Sequence, residues 1–204
     1  MTVARNTDRP YRKKARAESE AATRQRIVES AVALHLERGP AQTSINAIAD
    51  HAGVNRVTVY RHFPDERSLF EACSAHARSL YPPPDLAAWR SIEDPRERME
   101  VGLGQLYDYF HRTEAGWANV LRDAEIAPLV KEMVQRQLTY LREARDVLLT
   151  GWPATRTGQP LLRAVLGLAV DFRTWQTLVR REEVDHQIVV GLMVRLATAV
   201  GEHD

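Results

Sequence analysis

The sequence predicts an all-α fold of about nine helices. Three observations carry this expectation. Apolar residues recur at helical spacing along most of the 204 residues. No stretch alternates apolar and polar residues as a half-buried strand does, and no Asn-Gly or Asp-Gly pair marks a hairpin. Capping residues (Ser44, Asp65, Asp94) and terminators (Gly39-Pro40, Gly53, Pro82-Pro83-Pro84) punctuate the chain at helix-length intervals.

In order, a first helix runs from about Glu18 to Arg38, with Ile27, Ala31 and Leu34 on one face, and Gly39-Pro40 ends it. Ser44 is a good N-cap for a short helix through Ile45, Ile48 and Ala49, which stops at Gly53. Another short helix starts near Asn55 and ends near His62, ahead of Pro64. Asp65 caps the next, whose stripe is Leu69, Cys73, His76 and Leu80. Pro82-Pro83-Pro84 then marks a linker. The second half opens at Asp94-Pro95, a cap followed by proline at the first helical position. Met99, Leu103, Leu106 and Phe110 form its stripe, and Thr113 is suited to cap a shorter helix through Trp117 and Leu121. A long helix spans about Pro128 to Thr150 and is stopped by Gly151-Trp152-Pro153. A polar loop over 153–160 precedes two last helices, about 160–181 and 183–200. The expected organisation is a basic flexible N-terminal arm over 1–17, one helical domain over 18–80 and a second over 81–204.

Composition bounds the function classes. Hydrophobic residues make up 44% and charged residues 27%, an ordinary globular balance that excludes a wholly disordered chain. No run of 18 apolar residues is present, so no membrane span is expected. A single cysteine, Cys73, excludes an internal disulfide and a multi-cysteine zinc site. The seven histidines lack metal-ligand spacing, and no Gly-rich phosphate loop or nucleophile elbow occurs, so no cofactor, metal or enzymatic activity is expected. The charge is unevenly spread. Residues 1–76 carry 12 Lys and Arg against 9 Asp and Glu, while residues 77–204 carry 16 against 18. The excess sits at Arg5, Arg9, Arg12, Lys13, Lys14 and Arg16. Such an arm beside a folded domain points to an anionic partner such as nucleic acid; the alternative is a solubilising tail.

Residues 43–63 are the most informative. Two short helices joined by a turn containing Gly form the helix-turn-helix arrangement. Ala49 is small, so the second helix can approach closely. Gly53 supplies the backbone freedom of a sharp turn. Val54 and Val59 face inward, which leaves Asn55, Arg56, Thr58 and Tyr60 free to meet a partner. A helix of this size fits the DNA major groove, where Arg grips guanine O6 and N7 and a Thr methyl touches thymine. Tyr60 and His62 fall near the helix end, where hydroxyl and imidazole can bond phosphate.

The pattern Ile-Ala-x-x-Ala-Gly-Val at 48–54, then Thr-Val-Tyr-Arg-His-Phe at 58–63, then Leu69, resembles the DNA-binding domain of the TetR (tetracycline repressor) family of bacterial transcription regulators. The resemblance runs from about Thr23 to Arg78, a little over a quarter of the chain. It implies an all-helical homodimer on double-stranded DNA, with two recognition helices about one DNA turn apart. It implies base-contacting positions at Arg56 and Thr58, with Asn46 as a further candidate, and phosphate-contacting positions at Ser44, Tyr60 and His62. The family usually has a lysine three residues after the Phe. Here Glu66 stands there and would repel phosphate, so that contact passes only to the neighbouring Arg67.

The same resemblance implies that the 81–204 half binds a small organic effector and dimerises. Aromatic and polar residues concentrate over 89–123, which gives Trp89, Tyr107, His111, Trp117 and Arg122 as candidate ligand contacts. Phe110 reads as plain core, and Arg122-Asp123 as exposed charges, since adjacent residues do not share a helix face. Long apolar stripes in the last two helices give Leu161, Val165, Leu168, Phe172, Trp175, Ile188, Leu192 and Leu196 as a two-fold interface, with intramolecular burial as the alternative. The expected function is a cytoplasmic, ligand-released homodimeric repressor on a palindromic operator. A DNA-binding protein whose C-terminal half contacts other proteins, with no effector, is the alternative. A closed, well-packed C-terminal core would favour that alternative.

Overall fold

The computed structural model describes residues 8–153, 155–156 and 158–201. Ten α-helices occur among them: α1 (Asp8–Arg38), α2 (Ile45–Ala52), α3 (Arg56–His62), α4 (Glu66–Leu80), α5 (Leu86–Arg90), α6 (Pro95–Asp123), α7 (Pro128–Leu149), α8 (Gly158–Ala169), α9 (Phe172–Gln176) and α10 (His186–Gly201). A 3-10 turn at Pro40–Gln42 and a π-turn at Thr177–Arg181 complete the set. The all-α expectation holds. The chain divides into two units. One holds the residues through Leu80 together with Ala118–Val130; the other holds Tyr81–Trp117 and the chain from Lys131 onward.

In the first unit, α1 packs on α2 and α4, and α3 packs on α2. Ile27, Val28, Ala31 and Leu34 of α1 are buried with Ile48, Ala49, Val59, Phe63, Leu69, Phe70 and Cys73. Leu80, expected on the α4 stripe, is 53% exposed. The first helix begins at Asp8, ten residues before the expected start, so the arm over 1–17 is helical from residue 8; residues 1–7 lie outside the described residues. The extension carries no apolar stripe, which is why hydrophobic periodicity stops at Glu18. It is held instead by i, i+4 pairs, Lys14–Glu18 at 3.9 Å and Arg16–Glu20 at 3.2 Å.

The second unit is built on the inward faces of α5 to α10. Three differences from the expected elements have local causes. Helix α5 has no counterpart among the expected elements; Asp85 caps it by accepting from Ala87 N–H at 2.9 Å. Helix α6 does not break at Thr113. The Thr113 hydroxyl donates to the Tyr109 carbonyl at 2.7 Å, one turn back, and so is satisfied inside the helix rather than at a cap. The expected helix over 160–181 does break, after Ala169. Asp171 accepts from Thr174 N–H at 2.8 Å and starts α9 as a separate turn.

Candidate nucleic-acid interface

The α2-turn-α3 segment is fixed by four local devices. The Ser44 hydroxyl accepts from Ala47 N–H at 3.1 Å and caps α2. Gly53 adopts the left-handed conformation (φ 65°) that ends α2, and Val54 N–H closes the turn on the Ala49 carbonyl at 3.0 Å. Asn55 caps α3: its side-chain oxygen accepts from Thr58 N–H at 2.8 Å and from the Thr58 hydroxyl at 2.9 Å. Val59, fully buried, anchors the inner face of α3. At the far end, the Asp65 carboxylate accepts from Ser68 N–H at 2.7 Å and caps α4. Those Ser68 hydrogen bonds, helped by the Arg67 charge, hold the Asp65 carboxyl below its ordinary range.

This geometry sorts the expected DNA-contacting residues. Ser44, Asn46, Asn55, Arg56 and Arg67 are exposed; Thr58, Tyr60 and His62 are half-buried. All lie in the first unit. Arg56 and Tyr60 form a pair one helical turn apart. The Arg56 guanidinium donates to the Tyr60 hydroxyl at 3.2 Å and lies 5.3 Å from its ring centroid. Asn55 departs from the expectation that it faces a partner, because its acceptor oxygen is turned back on Thr58. The Thr58 hydroxyl proton is spent on the same cap. His62 Nε2 is enclosed with no partner among the described residues, so this nitrogen is not presented to a phosphate as expected. Two residues of α3 escaped the sequence reading: Val57, 77% exposed, and Arg61, exposed one turn later. Their i, i+4 spacing was the available signal. The outer face of α3 therefore shows cationic groups and one branched apolar side chain, a set suited to the major-groove edges of base pairs.

The expected effector contacts are not brought together. Trp89 and Tyr107 are fully buried core residues whose polar atoms are satisfied: Trp89 Nε1 donates to Gln105 Oε1 at 2.8 Å, and the Tyr107 hydroxyl donates to the Ala169 carbonyl at 3.0 Å. Burial pushes the Tyr107 phenol well above its ordinary range. His111 is exposed, 2.6 Å from Arg180, which also pairs with Glu114 at 2.8 Å. Trp117 is half-buried. Arg122 lies in the first unit, where it donates to the Arg38 carbonyl at 2.8 Å and pairs with Asp123 at 2.8 Å. Asp123, expected as an exposed charge, is 1% exposed and accepts from Ala41 N–H at 2.9 Å. A helix end supplies the reason: Arg122 and Asn119 (to Leu36 at 2.8 Å) satisfy the last carbonyls of α1, which have no partner within the helix.

What the second unit does assemble is an aromatic cluster. Phe110 meets Phe172 edge-on at 5.4 Å and Trp175 at 5.8 Å, with Tyr107 and Tyr109 beside it. Trp175 Nε1 is buried there without a hydrogen-bond partner among the described residues. A cavity of about 260 Å³ elsewhere in this unit is lined by Asp94, Trp152 and Thr198 among others, none of them an expected contact. Of the expected interface, Leu161, Leu168, Ile188 and Leu196 are exposed on α8 and α10, and Val165 and Leu192 are half-buried. Phe172 and Trp175 are buried within the protomer and do not belong to that surface. No group of His, Cys, Asp and Glu is placed to hold a metal, and no helix is long and apolar enough to cross a membrane, among the described residues.

Residues 27–73 match the family described as bacterial regulatory proteins, tetR family, a span that contains α2, the turn and α3. This segment is similar to the DNA-binding part of TetR-family regulators. TetR-family proteins are DNA-binding transcription regulators, not enzymes. The chain is 27% identical over 172 residues, 74% of its length and 81% of the relative's, to the HTH-type transcriptional repressor BepR of Brucella suis biovar 1 (strain 1330). It is 42% identical over 48 residues, 24% of this chain and 22% of the relative, to the Probable acrEF/envCD operon repressor of Escherichia coli (strain K12). Its fold matches a TetR-like transcriptional regulator from Rhodococcus sp. RHA1 with a TM-score of 0.62 at 20% identity, covering 87% of this chain and 94% of the other.

Proposed function

We propose that this protein is a TetR-family regulator, a cytoplasmic homodimeric repressor that binds a two-fold-related operator and is released by a small organic effector. The observation that carries the DNA contact is α3 itself: a short helix anchored by buried Val59, with the Arg56–Tyr60 pair on its outer face. Arg56 reads a base edge while Tyr60 holds its guanidinium in place and meets phosphate; Ser44, Asn46 and Arg67 supply flanking contacts, whereas the enclosed Nε2 of His62 does not reach a phosphate. Repression is supported by the likeness to BepR, itself a repressor.

Pairing of two copies is supported by the exposed stripe Leu161, Leu168, Ile188 and Leu196 on the packed pair α8 and α10. A single water-facing stripe on two adjacent helices suits a four-helix, two-fold interface. Effector binding is supported by the buried Trp175 Nε1–H, a donor with no acceptor among the described residues. An aromatic compound bearing a hydrogen-bond acceptor would satisfy it and join the Phe110–Phe172–Trp175 cluster. A ligand that prefers one arrangement of the recognition helices then shifts the population away from the DNA-bound form. The satisfied polar atoms of Trp89 and Tyr107 favour a second reading, a closed core serving protein contacts with no effector.

Selection of the purified protein on a random double-stranded DNA pool tests the proposal, with Arg56→Ala/Tyr60→Ala as control. A two-fold-related consensus that vanishes in the control supports it. No enrichment by the intact protein counts against it. Screening aromatic compounds for release of the enriched duplex then separates the effector reading from the protein-contact reading.

A further inference from the structure

Val57 is 77% exposed, as much as any large apolar side chain described in this protein. It sits in the first turn of α3, between exposed Arg56 and exposed Arg61. Beside it the Thr58 hydroxyl is held by Asn55, and Arg56 lies along Tyr60. A β-branched residue is a poor choice for an exposed helical position, and here it makes no core contact in return. We infer that Val57 is a specificity-determining residue that packs its isopropyl group on the C5-methyl of a thymine, next to the guanine taken by Arg56. This inference rests on the DNA-binding reading above.

The chemistry narrows the partner atom. In the major groove the thymine methyl is the one apolar group that a base edge presents. A branched aliphatic side chain has no donor or acceptor for any other edge, and it leaves the polar atoms of cytosine or adenine without partners. Val57 therefore selects thymine both by burying that methyl and by penalising the alternatives. Arg61, at i+4 on the same row, places a cation over the adjoining backbone.

Deoxyuridine isolates the methyl, because it pairs as thymine does and lacks only that group. The test takes the operator enriched by the full-length protein and replaces each thymine in turn by deoxyuridine, in one half-site and then in both. At one position the wild type should lose about fourfold in affinity per half-site, the worth of one buried methyl-sized group. Val57→Ala should bind thymine and deoxyuridine duplexes equally at that position, and should keep the wild-type melting temperature because the side chain is outside the core. Wild-type protein indifferent to deoxyuridine at every thymine would overturn the inference. So would a Val57→Ala variant that is folded and still discriminates. Failure of any duplex to be enriched overturns instead the regulator reading beneath it, so the two failures are distinguishable.

Discussion

Asp123→Ala should destabilise the unit that carries the recognition helix by about 2–3 kcal/mol. Asp123 sits at the end of α6 with 1% exposure, and its carboxylate has two protein partners. It accepts the Ala41 N–H at 2.9 Å, 82 residues away in sequence, and pairs with Arg122 at 2.8 Å. The first bond is part-buried and charge-assisted, a class that contributes about 1.5–3 kcal/mol. The second involves an Arg122 side chain 50% exposed, so it adds no more than about 0.5 kcal/mol. In a domain of this size each kcal/mol moves the melting temperature by about 2–4 °C, so the variant should melt about 5–10 °C lower. Asp123→Asn keeps an acceptor for Ala41 and should lose roughly half as much. Gly39 sharpens the test. It has φ +95°, and a Cβ there would collide with the Asp123 carboxylate and the Arg122 guanidinium. Gly39→Ala should therefore be costly alone and less costly in the Asp123→Ala background, a coupling that a double-mutant cycle reads directly. Thermal denaturation followed by far-ultraviolet circular dichroism is sufficient. An Asp123→Ala protein melting within 1 °C of wild type, or strict additivity with Gly39→Ala, would refute the reasoning.

His35 supplies a pH prediction. Burial lowers its pKa from 6.5 to about 4, against the opposing pull of Asp123. The unfolded chain binds a proton near pH 6.5 and the folded chain does not, so this contribution is complete above pH 6.5 and is lost as pH falls toward about 4. Between pH 7 and pH 5 it amounts to about 2 kcal/mol, and His35→Gln should flatten the urea-denaturation profile over that window; an unchanged slope rejects the assignment. Asn55→Ala removes the α3 cap and should cost about 1 kcal/mol of stability while weakening all DNA sequences alike. A changed base preference on selection would show that Asn55 reads bases after all. Leu168→Glu/Ile188→Glu puts charges on the exposed α8–α10 stripe and should yield a monomer in sedimentation equilibrium; a dimer of wild-type strength places the interface elsewhere. Arg56→Ala should cost about 1–3 kcal/mol at the operator and relax one base preference, as measured by titration against single-base variants.

The sequence made legible whatever is decided within one helical turn. Ser44, Asn55, Asp65 and Asp94 cap the next helices by bonds to residues three positions on, and Gly53 ends α2 by its own φ. The helix-turn-helix segment is made almost wholly of such local devices, which is why its helices and turn are legible in the sequence, whereas the contact roles of its residues come from the family resemblance. Asp123 could not be understood so, because its partner on Ala41 is a tertiary one. Periodicity located the apolar face of a helix correctly only while the helix stayed whole. Thr113 and Asp171 are both residue types that cap in one setting and sit mid-helix in another. The Thr113 hydroxyl found a carbonyl one turn back and α6 ran on; Asp171 found Thr174 N–H ahead of it and α8 ended. That single break explains the divided fate of the expected interface. Leu161, Val165 and Leu168 lie before it and keep one outward phase, whereas Phe172 and Trp175 lie after it and restart the phase inward. An apolar stripe that crosses such a break turns from one face to another. The aromatic cluster that carries the effector proposal is thus a product of the Asp171 cap, and loss of that cap through Asp171→Ala would disturb Trp175 before it disturbed the outward stripe.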